Sequence, residues 1–596
     1  MRIRNTSIAA GMLAGLLGAL APAAQGMVPG NTGDGEGSFF RAYYLEHEQG
    51  DLEAALALYE EAAASGPRAQ RARAAAAATS LSEDLVARDF ARLMPPDAIV
   101  YAEVLRPGAA IEGLISQLGL LGSLDAGPER YKISPLLISS VLGLRGVAVA
   151  VTEIDMQGGP PEFVAVFHPG DVNIARGLIE TVVPSGGTPV DPIGSYQTWN
   201  IEGEAFLTLT AKLAVLSSSR SGIEGVVARL RGQESSSLAT SSAVQSAMEM
   251  RGDDLLFFCV NAEPVLPTIR KVLNHQATGD PGAAMALTML DVPSLRTLAG
   301  SLSVGAKGLA LELALDLAEG HHNLAFNMLR KPGLQKRTFE LVPDDVAFFL
   351  ATSLNEPQAT RTVARNPGEE PIVTAMDFGR EIFGNIIDVA VYGIPPEPGS
   401  ASEIPDVAAV VRVNDPARSR ALWKLILGMA SQGSGSTSME PEGVVIAGQQ
   451  AERYELDGTS IYLVTTGGEM IFSPSVGAIA HSLEARRSGR SVLDDQAFAA
   501  PVRALQDTST FAFLCSPGRA VRMGEAHMSA GDRREIMPVA HLLESTLVSV
   551  RVEHSDTRLA IRAALEGVPD VSRMLTQVID GHRASVAAYG GHGSDH

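Results

Sequence analysis

Two stretches of this chain, 255 residues apart, carry one pattern, and that repetition restricts the fold more than composition does. Trp199-Asn-Ile-Glu-Gly203 is answered by Tyr454-Glu-Leu-Asp-Gly458. Continued without gaps, Phe206 falls on Ile461, Leu207 on Tyr462, Leu209 on Val464, Val215 on Met470, Leu216 on Ile471, Gly222 on Gly477 and Leu238 on Leu493. The starts agree as well: Met94-Pro-Pro-Asp-Ala-Ile-Val-Tyr-Ala102 stands against Leu341-Val-Pro-Asp-Asp-Val-Ala-Phe-Phe349. The two cysteines then coincide, in Leu255-Leu-Phe-Phe-Cys259 and Phe511-Ala-Phe-Leu-Cys515. Agreement of starts, middle and thiols in one order is hard to obtain by chance. Residues 93–330 and 340–580 therefore read as two copies of one unit, with a linker at 331–339.

Within the first copy, β-branched and aromatic residues mark strands at 98–104, 146–154, 162–167, 197–202, 213–218, 254–261, 298–304 and 309–315. Helical spacing marks 109–121, 172–183, 221–231, 241–250 and 263–274. Links as short as Glu202-Gly203-Glu204 join neighbouring strands into antiparallel hairpins. The expected class is α+β: two tandem copies of a mainly antiparallel sheet with helices on one side, preceded by a short all-α hairpin segment.

Residues 1–26 have the layout of a secretory signal. Arg2 and Arg4 precede a 13-residue apolar stretch, Ile8 to Leu20, and Ala21-Pro22-Ala23 offers small residues for cleavage. The stretch is shorter than the roughly 18–20 residues that span a bilayer, and no later segment is apolar for that length. The mature chain is expected to be exported, soluble, and periplasmic or extracellular. Lys plus Arg number 47 against 68 Asp plus Glu, a net charge of −21. That balance argues against nucleic acid as a partner, which needs clustered positive charge. Two cysteines exclude a disulfide-rich scaffold and a multi-thiolate metal site.

After a Gly-rich linker at 27–37, residues 38–92 are helical in pattern. Leu52, Ala55, Leu56, Tyr59 and Ala62-Ala63 recur at 3–4 residue spacing between the Gly50-Asp51 turn and Pro67. Here the chain resembles a tetratricopeptide repeat: Ala55 and Ala62 stand where two helices approach closely, Tyr59 is the wedge and Pro67 the stop. The resemblance covers about 29 residues, in one copy, and implies a protein partner bound through residues 38–92; a helical hairpin packed on the main body is the other reading. The duplicated body resembles a class of exported bacterial proteins of unknown function. It shares with them the "Pro-Asp-Ala, then strand" opening, the Gly-ended hairpin and the late strand after a Leu-rich helix pair. That class brings no activity with it.

The spacings that chemistry imposes are missing. There is no His-Glu-x-x-His, no Gly-x-Ser-x-Gly elbow, no Ser-x-x-Lys, no phosphate loop, no complete Gly-x-Gly-x-x-Gly and no calcium loop. No metal and no cofactor is expected. His168, in Phe167-His-Pro-Gly-Asp171, reads as a strand-ending turn, His321-His322 as a solvated helix start, and His592 and His596 as part of a disordered tail at 581–596. Cys259 and Cys515 lack a neighbouring base and read as buried apolar residues, a disulfide between them being the alternative. Trp199 and Tyr454 are the candidate interface or cleft aromatics, with core packing the ordinary alternative. The reading taken is a non-catalytic exported structural or protein-interaction protein. The alternative is an extracytoplasmic ligand-binding protein with a cleft between the copies, and the third a hydrolase whose catalytic residues are scattered.

Overall fold

In the computed structural model the described residues run from 34 to 568, except 47–51, 67, 109–143, 155–158, 171–186, 253, 268, 272–290, 306–307, 357–382, 396–405, 434–440, 457 and 506–507. The signal at 1–26, the helices expected at 109–121 and 172–183, and the tail at 581–596 lie outside them. The chain mixes helix and strand, and the strand pairings are antiparallel. Among the described residues no helix is long and apolar enough to cross a membrane. The chain divides into two units.

Unit 1 opens with three helices, α1 (Asp34–Tyr44), α2 (Leu52–Ser65) and α3 (Arg68–Arg88). Residues 34–37, expected in a linker, are thus helical. The helices share one apolar cluster of Ala42, Leu52, Ala55, Tyr59, Ala78 and Leu81. Ala55 and Ala62 are fully buried, and the Tyr59 hydroxyl donates to Glu46 Oε2 at 2.8 Å. A further turn, α4 (Phe90–Leu93), leads into the sheet.

The unit 1 strands are β1 (Val100–Leu105), β2 (Gly146–Glu153), β3 (Glu162–His168), β4 (Gly187–Ile193), β5 (Tyr196–Ile201), β6 (Ala205–Leu209), β7 (Ala214–Ser217), β8 (Leu256–Asn261) and β9 (Leu295–Gly305). Their spatial order is β9-β8-β1-β2-β3-β7-β6-β5-β4. Strand β4 escapes the sequence pattern because Pro189 and Pro192 interrupt it; it pairs only with β5 among the described residues, an edge where prolines cost few ladder bonds. Helix α5 (Arg220–Leu230), capped by Ser219, buries Ile223, Val226, Val227 and Leu230 in a core with Tyr101, Val164, Val215 and Phe257.

Unit 2 holds β10 (Gly308–Leu317), β11 (Phe348–Ser353), β12 (Ile386–Ile394), β13 (Asp406–Val413), β14 (Glu442–Ile446), β15 (Gln449–Leu456), β16 (Thr459–Thr466), β17 (Glu469–Ser473), β18 (Ser509–Cys515), β19 (Leu547–His554) and β20 (Arg558–Glu566). Their order is β10-β20-β19-β18-β11-β12-β13-β17-β16-β15-β14. Strand β10 falls inside 93–330 in sequence, yet it pairs with β20 from Gly308↔Glu566 to Asp316↔Arg558 and belongs to unit 2. Gly308 must be glycine: its φ is +140°, and a Cβ there would stand 1.8 Å from the Leu565 carbonyl oxygen.

Two expectations are corrected here. Residues 331–339 are not a linker, because Leu334, Thr338 and Phe339 are buried and Leu334 and Phe339 join the unit 2 core. Nor do the helices keep to one side. Helix α6 (Pro416–Gly433) places Trp423 against Phe472 (4.8 Å between rings) over Val411, Val413 and Tyr454. Helix α7 (Val476–Ser488) covers Ala408 and Val410, which alternate with those valines on the opposite face of β13. The run Val407-Ala-Ala-Val-Val411 is apolar without alternation, as a strand covered on both faces should be.

Candidate functional site

Cross-strand neighbours on β12, β13 and β17 bring three charged residues into one row. Arg412 on β13 lies opposite Asp388 on one side and Glu469 on the other. All three are buried. Arg412 donates to Asp388 through Nη2 and to Gln335 Oε1 through Nη1 at 2.7 Å. Its Nε is buried and makes no hydrogen bond. Burial pushes the Asp388 carboxyl above its usual range, against the opposing pull of Arg412 and of the Thr338 hydroxyl. Glu469 accepts from Arg337 Nε on one oxygen and from Arg486 Nη1, at 3.1 Å, on the other.

Above the row the surface is indented. Gln335, Lys336, Arg337, Ile387, Arg412, Val413, Gly467, Gly468 and Glu469 line a cleft of about 490 Å³. Its wall is the one-turn helix Lys336–Phe339, held because Leu334 and Phe339 are anchored in the core. Its rim is the two-residue turn Gly467-Gly468 between β16 and β17, with φ of +58° and +94°. That left-handed pair is what a tight hairpin requires. A Cβ on Gly467 would also stand 2.4 Å from Arg486 Nη2. Lys336 is exposed and makes no ion pair among the described residues. Among the described residues its lining offers N–H donors and charge, with no thiol, serine or imidazole.

Unit 1 has a different polar cluster. The Tyr101 hydroxyl donates to Glu103 Oε2 at 2.7 Å, and Arg251 bridges Glu103 (Nη2 to Oε2, 2.8 Å) and Asp89 (Nη1 to Oδ1, 2.6 Å). These ion pairs tie β1 to the segment before it and to the segment that leads into β8. A second cleft beside them is lined by Asp89, Arg229, Glu234 and Arg251, whose guanidinium groups are already engaged by carboxylates and carbonyls.

The residues singled out from sequence do not converge on either cluster. Trp199, on β5, is half-buried opposite Leu207. Tyr454, on β15, is buried against Leu463 and Met470, and its hydroxyl donates to Glu452 Oε2 at 2.9 Å. Tyr454 thus packs in a core cluster of unit 2, while Trp199 belongs to none of the apolar clusters among the described residues. His168 Nδ1 accepts from the Gly170 amide at 3.2 Å, the strand-ending turn expected. His321 stacks edge-on against Phe326, with Asn323 rather than either histidine capping the helix Leu324–Leu329. His592 and His596 lie outside the described residues. Both cysteines are free thiols. Cys259 is buried; Cys515 is only half-buried, because it faces away from the core that its neighbour Leu514 enters. Sequence reading missed Asp388, Arg412 and Glu469, which stand in three separate segments with no local motif; the adjacent Lys336-Arg337 was assigned to a linker.

No sequence-family model matches the chain, and no curated protein is similar to it. Among solved structures, crystal form III of TP0453 aligns at 13% identity over 40% of this chain and 85% of that one, with a TM-score of 0.23. Crystal form I aligns at 12% identity over 40% and 82%, also with a TM-score of 0.23. Likeness at this level carries no argument about fold or function.

Proposed function

We propose that the chain is a non-catalytic, exported structural or protein-interaction protein, built from a duplicated α+β unit that carries a partner-binding helical segment at residues 38–92. What supports duplication is the ladders. The order β9-β8-β1-β2-β3-β7-β6-β5-β4 in unit 1 recurs as β19-β18-β11-β12-β13-β17-β16-β15-β14 in unit 2. Matching core faces puts Tyr101 on Phe349, Val166 on Val410 and Val215 on Ile471. This register refines the ungapped match. Cys259 then corresponds to Leu514, not Cys515, and Trp199 to Glu452, not Tyr454, because the β15–β16 ladder extends two pairs beyond that of β5–β6.

The observation that carries the non-catalytic reading is what fails to repeat. Glu103 corresponds to Ala351, Asp388 to Gly146, Arg412 to His168 and Glu452 to Trp199. The shared positions are the apolar ones that build the core and two serine pairs that serve the backbone: Ser217 and Ser473, each buried and donating to a neighbouring strand's carbonyl, and the helix caps Ser219 and Ser475; the buried carboxylates are private to one unit and held in ion pairs. A common ancestral unit thus needed no charged constellation to fold.

The helical segment supplies a surface for a partner: Phe40, Tyr43 and Tyr44 on α1 are each about half exposed. Aromatic side chains of this kind are enriched where proteins bind one another. Deleting 38–92 whole would remove Phe90 and Ala91 from the unit 1 core. The cleaner test is the full chain with Phe40→Ser, Tyr43→Ser and Tyr44→Ser, compared with the parent in affinity capture from the native envelope fraction. A partner retained by the parent and lost by the variant, with unchanged circular dichroism, is expected. Equal capture by both sinks the docking role of this segment.

A further inference from the structure

The cleft over Asp388, Arg412 and Glu469 is a feature that duplication does not explain. In unit 1 the same row is Gly146 opposite His168, with Leu213 next in register, and the sheet closes there equally well. Burying an ion pair where a glycine and a histidine suffice gives the fold no clear gain, since desolvation offsets the attraction. The charges also do not balance. Among the described residues Lys336, Arg337, Arg412 and Arg486 meet only Asp388 and Glu469, a local excess of two positive charges on a chain whose net charge is −21.

The donors are left over in a suitable place. Arg412 is held rigidly by Asp388 and Gln335, with 8% of its side chain exposed; its Nε–H has no acceptor, and Asp388 Oδ1 in the same row has no donor. Lys336 lines the cleft from the wall and pairs with no carboxylate among the described residues. The Gln335 carbonyl is consumed by Arg412, which turns its amide NH₂ into a further available donor. Glu469 is neutralised from both sides by Arg337 and Arg486, so it does not repel an anion at the mouth. A buried donor without a partner is costly, and an acceptor oxygen supplied by a ligand removes that cost.

We propose that this cleft binds a phosphoryl dianion, either inorganic phosphate or the terminal phosphate of a small phosphomonoester, on Arg412, Lys336 and Gln335. The two surplus charges match the dianion, and Arg412, Lys336 and Gln335 all line the cleft that would hold its oxygens.

The test is isothermal titration of the full chain with sodium phosphate and, separately, with glycerol 3-phosphate, in chloride buffer. One saturable site per chain is expected. Tighter binding of the first ligand identifies free phosphate, and of the second a phosphomonoester; either supports the site. Lys336→Glu, an exposed position whose change does not threaten folding, should weaken binding by about tenfold or more, because it replaces an attraction by a repulsion. The double variant Asp388→Gly, Arg412→His installs the unit 1 residues and should abolish binding; should it fail to fold, Gln335→Ala replaces it and should weaken binding. No saturable heat for the parent up to about 10 mM ligand, or parent-like affinity in Lys336→Glu, overturns the proposal. Neither result bears on the α1 docking surface, which is tested separately.

Discussion

Replacing Arg251 by leucine should destabilise unit 1 far more than a surface mutation does. Arg251 is the cation paired with Glu103, whose side chain is 1% exposed in the sheet. Losing one member of a buried pair leaves an uncompensated charge and costs about 3–5 kcal/mol. The lower half of that range applies here, because Arg251 is 16% exposed and Tyr101 continues to donate to Glu103. With a urea dependence of about 2–3 kcal/mol per molar, the midpoint should fall by roughly 1–2 M. The chain makes this measurable by unit. It has two tryptophans, Trp199 in unit 1 and Trp423 in unit 2, so a Trp423→Phe background reports unit 1 alone by fluorescence. The companion Glu103→Leu, Arg251→Leu removes both charges and should return to within about 1–2 kcal/mol of the parent. A single variant within about 1 kcal/mol of the parent, or a double variant no better than the single, would refute the reasoning.

Two further predictions use the same reporters. Burial opposes ionisation of Glu452, but hydrogen bonds from Arg420 and Tyr454 and the charges of Arg420 and Lys424 outweigh it, so its pKa lies below the ordinary value of 4.5. A depressed carboxylate contributes stability above its unfolded pKa and loses it as pH falls through the folded one. Glu452→Gln should therefore lower the Trp423-monitored urea midpoint at neutral pH, and the gap should close by about pH 3; a gap constant with pH would contradict this. Burial pushes the Cys259 thiol up to about 12 and raises that of Cys515 as well. Ellman's reagent should find Cys259 unreactive in the folded chain, Cys515 slow, and two thiols after denaturation, whereas rapid labelling of Cys259 in the native protein would show it to be accessible.

Much of the sheet is legible in the amino-acid sequence. Strands such as Gly146–Glu153 and Glu162–His168 carry β-branched and aromatic residues along their whole length, and Ser219 before Gly222 signals a helix start by a bond that needs no distant partner. Such signals are local: side-chain shape, spacing and a nearby N–H acceptor suffice to set them. Strand β4 was hidden because its prolines oppose strand propensity and only its edge position tolerates them.

Register, sidedness and the cleft belong to the tertiary structure. Under the proposed duplication, a hairpin two pairs longer in one unit than in the other moves the counterpart of Trp199 by two positions, and a residue count cannot see where a ladder ends. Cys515 and Leu514 exchange faces by a single step along one strand, which decides which of them enters the core. The row Asp388, Arg412, Glu469 joins segments from residue 388 to residue 469, and Lys336 and Arg337 reach it only because Leu334 and Phe339 are buried beside it. Sequence determined which segments form strands and helices because those preferences act over a few residues; the charged cleft depended on contacts between distant segments, and only the folded chain brings these together.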